Sequence, residues 1–246
     1  MIHVTVWNEF RHERQSEEIR AIYPEGIHGQ IARFLKNDPE LEITLAALDD
    51  PEQGLPEEVL NRTDVLIWWG HMAHGEVSDA LVERIRRRVY LGRMGLLVLH
   101  SGHHSKVFRS VVGTTGNLGW GRNQKEIVWN VNPSHPITQG VPDHFCLPCE
   151  ELYCEPFYIG QPDELVFTSW FEDGYILRSG CVFLRGAGKI FYFQPGHEEC
   201  RSFYDAHVQR VIQNAVHYVC PADFAFPVRD KAPCVHPHKV TDEFDT

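Results

Sequence analysis

Five short apolar runs constrain this chain more than any other feature: His3 to Trp7 (HVTVW), Ile43 to Leu48, Asp64 to Trp69 (DVLIWW), Gly95 to Leu99 (GLLVL) and Lys189 to Phe193 (KIFYF). A strand that is apolar on successive residues must be covered on both faces, which is the condition of a parallel sheet with helices on either side. The segments between the first four runs supply such helices. Gly26 to Lys36 places Ile27, Ile31, Phe34 and Leu35 on one helical face, and Pro56 to Asn61 is a short helix. Val77 to Leu91 turns Leu81, Val82, Ile85 and Val89 inward and leaves Arg84, Arg86, Arg87 and Arg88 mostly solvated. The expected fold is α/β, a doubly wound, mostly parallel sheet with helices on both faces.

The second half changes character. Glu126 to Asn132, Glu164 to Phe171 and Tyr175 to Leu184 read as strands, with Gly174, Gly186 and Gly188 at turns. They predict a β-rich lobe inserted over about 113–185, after which Lys189 to Gln194 returns to the main sheet. Asp205 to Val219 is the last helix, with Val208, Val211, Ile212, Ala215 and Val219 facing in. One domain over 1–220 is the simplest organisation, and 221–246, rich in Pro, His and charge, reads as a loose tail.

The formal net charge of -11 argues against nucleic acid and anionic membranes, which select a basic face; it leaves a small neutral ligand open. No apolar run approaches the ~20 residues that span a bilayer, and the N-terminus starts in a strand without the pattern of a secretory signal. The chain has seven cysteines; Cys146 and Cys149 have the closest paired spacing, and no second pair completes a zinc knuckle. These features predict reduced thiols in a cytoplasmic protein. They set no oligomeric state, and a homo-oligomer is compatible with them.

In an open α/β sheet, ligands bind beyond the carboxyl ends of the strands. Three histidine-bearing segments directly follow apolar runs: Trp69-Gly70-His71-Met72-Ala73-His74, Leu99-His100-Ser101-Gly102-His103-His104 and Gln194-Pro195-Gly196-His197-Glu198-Glu199. His28 opens a helix at the same edge. Imidazoles converging there suggest a metal site or an acid/base site. The candidate ligands of a divalent metal, zinc among them, are His28, His71, His74, His103 and His197; of His103 and His104 only one can face the crevice easily. Each histidine alone has a plainer reading as a cap or surface residue. The turn at His100-Ser101-Gly102 resembles a nucleophile elbow with Ser101 as nucleophile, although Leu99 replaces its first glycine and Ser101 as a capping residue is the simpler alternative. Glu150 and Glu151, next to Tyr153 in the lobe, suit a general base, a metal ligand, a sugar-hydroxyl acceptor or merely a solvated turn. Glu198 and Glu199 suit orienting an imidazole or moving a proton. Trp69 and Trp120 lie nearest these loops, and aromatics often flank hydroxyl-binding groups in carbohydrate sites. No phosphate-binding glycine pattern supports a nucleotide cofactor.

Taken in order, Val4-Thr-Val-Trp-Asn-Glu-Phe-Arg-His-Glu13, Tyr23-Pro-Glu-Gly-Ile-His28, Trp69-Gly-His71, Leu99-His-Ser-Gly-His103, His135-Pro-Ile137, Glu150-Glu-Leu-Tyr153 and Gly188-Lys-Ile-Phe-Tyr-Phe-Gln-Pro-Gly-His-Glu198 resemble the trehalose-utilisation (ThuA-like) family over about residues 3 to 220. The resemblance implies a flavodoxin-like sheet of the class I glutamine amidotransferase type. It also implies a role in catabolism of trehalose or a related disaccharide, on oxidised 3-keto sugars. In amidotransferases the elbow carries Cys; here it carries His100-Ser101, which speaks against thiol-based glutamine hydrolysis. The leading expectation is a metal-assisted enzyme on a keto sugar, with Glu151 or Glu198 moving a proton. Its rivals are a metal-free hydrolase using Ser101 and His197, and a non-catalytic sugar-binding or regulatory protein.

Overall fold

The computed structural model describes residues 1–221. The nine strands among the described residues form one sheet in the order β2-β1-β3-β4-β9-β8-β7-β5-β6. The parallel half comprises β1 (Ile2–Asn8), β2 (Leu41–Ala47), β3 (Val65–Trp69), β4 (Gly95–Leu99) and β9 (Gly188–Phe193). The other half comprises β5 (Gly119–Asn130), β6 (His144–Cys154), β7 (Glu164–Phe171) and β8 (Ile176–Arg185), joined antiparallel from β9 outward. The expected β-rich insertion thus continues the main sheet, and β9 returns beside β4 as its apolar run requires. The tail expected over 221–246 lies outside the described residues, except Pro221.

Helices pack on both faces. α1 (His12–Gln15), α2 (Glu17–Ile22) and α3 (Gly26–Leu35) follow β1. α4 (Glu57–Arg62) and α5 (Asp79–Tyr90) flank β3, α6 (Lys106–Val112) follows β4, and α7 (Ala206–Val219) closes the described chain. The inward residues expected for α3, α5 and α7 are all buried. They divide into two cores. Leu81, Ile85 and Phe108 pack on one face of the sheet, and Ile27, Ile31, Val208 and Ile212 on the other. Trp7 and Trp68, register partners on β1 and β3, stack with ring centroids 3.7 Å apart in the first core. No helix among the described residues is long and apolar enough to cross a membrane.

The largest departure from expectation is β6. Its residues include Pro148 and three cysteines and alternate poorly, so Glu150 and Glu151 were expected in an irregular segment; instead they lie on a strand paired with β5 through two register shifts. Close packing also fixes the foot of the sheet: a Cβ on Gly95 would lie 2.2 Å from the Val219 carbonyl oxygen at the end of α7. Gly95→Ala is expected to cost roughly 2–3 kcal/mol by overpacking, lowering the midpoint of a thermal melt by about 5–10 °C.

Candidate metal centre

The parallel strands β1, β3, β4 and β9 end at one edge, and each is followed by residues that enter the same crevice. After β3, the Glu9 carboxylate accepts the backbone N–H groups of Met72 (2.8 Å) and Ala73 (2.9 Å), which sets the turn that presents His71. After β4, His100 has φ +49°, a conformation that a non-glycine side chain adopts at a cost and that clusters at functional sites. The strained elbow position therefore belongs to His100, and Ser101 follows it. After β9, the loop of His197 is held by Glu150, which accepts the backbone N–H groups of Gly196 (2.8 Å) and His197 (2.7 Å) and the Ser202 hydroxyl. Trp69 Nε1–H donates to the Gly196 carbonyl at 2.9 Å.

On β6, Glu150 and Glu151 point opposite ways. Glu150 turns back to support the loop, and Glu151 turns into the crevice. There His71, His100, Glu151 and His197 each offer one donor atom, all within 4.8 Å of one another. Glu151 Oε2 lies 3.2 Å from His100 Nε2, 3.7 Å from His71 Nε2 and 3.8 Å from His197 Nε2, yet it is buried and makes no hydrogen bond.

These residues fit a divalent ion. A tetrahedral set of N and O ligands at about 2.0–2.2 Å places donors about 3.3–3.6 Å apart, close to the three separations from Glu151 Oε2. The tautomers agree as well. His100 Nδ1 faces the Gln194 carbonyl at 3.0 Å. A carbonyl only accepts, so Nδ1 carries the proton and Nε2 presents its lone pair to the crevice unless the ring is charged. Such a second hydrogen bond is the usual support of a ligating imidazole. His71 Nδ1 has Glu198 Oε1 at 3.4 Å and His12 Nε2 at 3.1 Å behind it. His197 Nδ1 is buried without a partner.

Electrostatics follow the same pattern. Burial works to raise the pKa of Glu151, but contacts with His100 and His71 outweigh it and hold the carboxylate well below the usual range. Burial also works against protonation of His71, yet Glu151 and Glu198 raise its pKa overall. Burial, reinforced by His100, pushes His197 down to about 4. Behind the site, burial pushes up both Glu150 and the fully buried Glu126, the latter raised further by the charge of Glu150.

The other expected residues lie elsewhere. His28 Nδ1 accepts from Asn8 Nδ2 at 3.1 Å, and its ring meets Phe10 edge-on. His74 Nε2 lies 3.5 Å from Ser101 Oγ, so the contact of Ser101 is with His74 and not with His197. His103 donates from Nδ1 to the Gly116 carbonyl at 2.6 Å. Burial lowers both His74 and His103 to about 3, leaving them neutral. His103 is buried and His104 exposed. Two members of the site were not among the expected ligands. His100 was passed over for His103, because only the backbone turn shows which ring enters the crevice. His12 sits on α1 after β1, 3.3 Å through Nδ1 from Glu198 Oε1; β1 lies beside β3 in the sheet, and that adjacency was the available signal.

A cavity of about 330 Å³ opens beside the cluster, lined by His71, Glu151, Tyr153, His74, Ser101 and Trp120 among others. The expectation of reduced thiols is not met throughout: Cys149 on β6 and Cys200 after His197 form a disulfide with Cα atoms 5.6 Å apart. It ties the strand of Glu151 to the loop of His197. Two cysteines 51 residues apart in sequence meet because β6, although at the far edge of the sheet, packs against the segment that follows β9.

The fold and site define an α/β shell with a mixed nine-stranded sheet whose elbow after β4 carries an imidazole within a His/Glu cluster. The family model for trehalose utilisation (ThuA) matches residues 3–219, and the chain belongs to that family. Its structure is similar to a ThuA-like protein of Parabacteroides merdae (12% identity, TM-score 0.69, covering 89% of this chain and 90% of that one). It is also similar to a ThuA-like protein of Bacteroides uniformis (18%, TM-score 0.60, 89% and 91%). A glutamine amidotransferase of Thermotoga maritima shares the fold (12%, TM-score 0.54, 90% and 99%). No curated protein sequence matches the chain.

Alkylation without reductant, read by peptide mass spectrometry, is expected to label the exposed Cys146 and to leave Cys149 and Cys200 unlabelled until a dithiol reductant is added. Labelling of Cys149 and Cys200 in the native, unreduced protein would contradict the bridge.

Proposed function

We propose that this protein is a metal-assisted, sugar-processing enzyme of trehalose or related disaccharide utilisation, acting on a keto sugar, with His71, His100, Glu151 and His197 holding a divalent ion, zinc among the candidates. The observation that carries the reading is Glu151 Oε2, buried, without a hydrogen bond and ringed by three imidazole nitrogens at 3.2–3.8 Å. An ionised carboxylate facing the lone pair of His100 Nε2 at 3.2 Å needs a proton or a cation between them. When bound, the ion would act as a Lewis acid on a carbonyl or hydroxyl of the sugar.

The remaining roles fall to named groups. Glu198 lies behind His71 and His12 and orients them, so its part in proton movement passes through their rings. Tyr153, with its hydroxyl 3.2 Å from His100 Nε2, lines the cavity and is placed to hydrogen-bond a sugar oxygen. His74, His103 and Ser101 form the polar wall. Glutamine hydrolysis is disfavoured because the elbow carries His100, which cannot form the thioester that a cysteine would. A Ser101 nucleophile with His197 as base lacks the contact between the two that it needs. The acidic balance of the chain suits a neutral sugar better than a polyanion.

Elemental analysis of untagged protein is expected to find one divalent ion per chain, lost when His100→Ala and His197→Ala are combined. Protein that stays metal-free after purification and reconstitution would overturn the reading. Ser101→Ala is expected to keep turnover of the keto sugar within about threefold, whereas a serine nucleophile would lose orders of magnitude.

A further inference from the structure

One large apolar side chain at the site remains unused by this reading. Trp120, on β5, is 76% exposed, although indole is among the side chains that gain most from burial. It lines the same cavity as His71, Glu151 and Tyr153. Its register partner across the strands is Tyr153, which in turn stacks on His100 with ring centroids 4.9 Å apart and planes 12° apart. Trp120, Tyr153 and His100 thus run inward from the rim to the floor of the crevice.

The backbone around Trp120 keeps its ring clear. Its neighbours are Gly119 and Gly121, where a Cβ would lie 2.6 Å from Cys154 Sγ and 2.9 Å from Leu152 Cδ2 respectively. Those two side chains occupy the space beside the glycines, and with no side chain on either adjacent residue nothing from them shades the indole. The register shift between Trp120 and Asn123 marks an irregularity in the strand at the same place, a device that re-aims side chains beside functional sites. Among the described residues Trp120 stacks on no other ring, whereas the half-exposed Trp129 stacks on His144 at 4.7 Å.

The cavity lining is of two kinds: Ser101, His74, His104 and Asn117 offer hydrogen-bonding groups, and Trp120 and Leu118 offer apolar surface. A pyranose ring has matching halves, with hydroxyls at its edge and C–H bonds on its face. We propose that Trp120 is a stacking platform for the second pyranose ring of a disaccharide, the one next to the ring held at the metal end, and so sets preference for a disaccharide over a monosaccharide. The proposal rests on the sugar reading above. Position carries the assignment to the second ring: Glu151 and Tyr153 are buried at the floor, whereas Trp120 stands at the rim.

The test is calorimetric titration of the metal-loaded protein with trehalose and with glucose, each as such and oxidised at C3, for wild type, Trp120→Ala and Trp120→Phe. Trp120→Ala is expected to weaken disaccharide binding tenfold or more and to leave monosaccharide binding and metal content unchanged. Trp120→Phe keeps a ring and is expected to lose threefold or less. Because the residue is exposed, circular dichroism of the variants should match wild type. Disaccharide binding unchanged in Trp120→Ala, or equal loss for both sugar sizes, would overturn the platform and leave the sugar reading standing. Wild-type protein that binds none of the four sugars would overturn both.

Discussion

Glu150 never reaches the crevice, yet the site depends on it. A buried carboxylate is costly unless it is neutralised or hydrogen-bonded, and Glu150 meets that condition by taking the backbone N–H groups of Gly196 and His197 and the hydroxyl of Ser202. That bonding ties β6, at the far edge of the sheet, to the loop that follows β9 near its centre. The disulfide between Cys149 and Cys200 closes the same joint covalently. Glu151, the next residue, can then face His197 across the crevice, because successive side chains of a strand point to opposite sides. The support and the crevice carboxylate are one dipeptide, and neither would be placed without the other.

The same logic runs along the parallel edge. Glu9 holds the turn of His71 through two backbone N–H groups, as Glu150 holds the turn of His197. Each carboxylate is fixed by the loop it shapes, so the imidazoles are presented by constrained backbone. His100 is aimed by its own positive φ and by the Gln194 carbonyl that its Nδ1 faces at 3.0 Å. At this elbow the His100 ring stacks on Tyr153 and lies 3.2 Å through Nε2 from Glu151 Oε2.

Much of this was legible in the chain. Runs such as DVLIWW and GLLVL could only be strands covered on both faces, and a parallel sheet brings the residues that follow them to one edge. Hence His71, His197 and Glu198 were expected near one another, and they are. His28 and His103 shared the edge but not the orientation: one is held by Asn8 and the other by the Gly116 carbonyl. His74 faces Ser101. Sequence distance places a loop; it says nothing about which ring a turn points inward. Glu151 was a candidate site residue, but its strand was obscured by Pro148 and by the poor alternation around it.

The sequence by itself determined the class of sheet, its two helical coats and the edge at which chemistry collects, because burial of apolar runs is a local pattern with few global solutions. Tertiary structure alone decided the donor set. Whether His100 or His103 enters the His/Glu cluster depends on one backbone torsion, and whether Glu151 or Glu150 faces that cluster depends on the strand register of β6. Both are set by partners distant in sequence, Gln194 for His100 and the 196–202 loop for Glu150, and such contacts exist only once the sheet has closed around them.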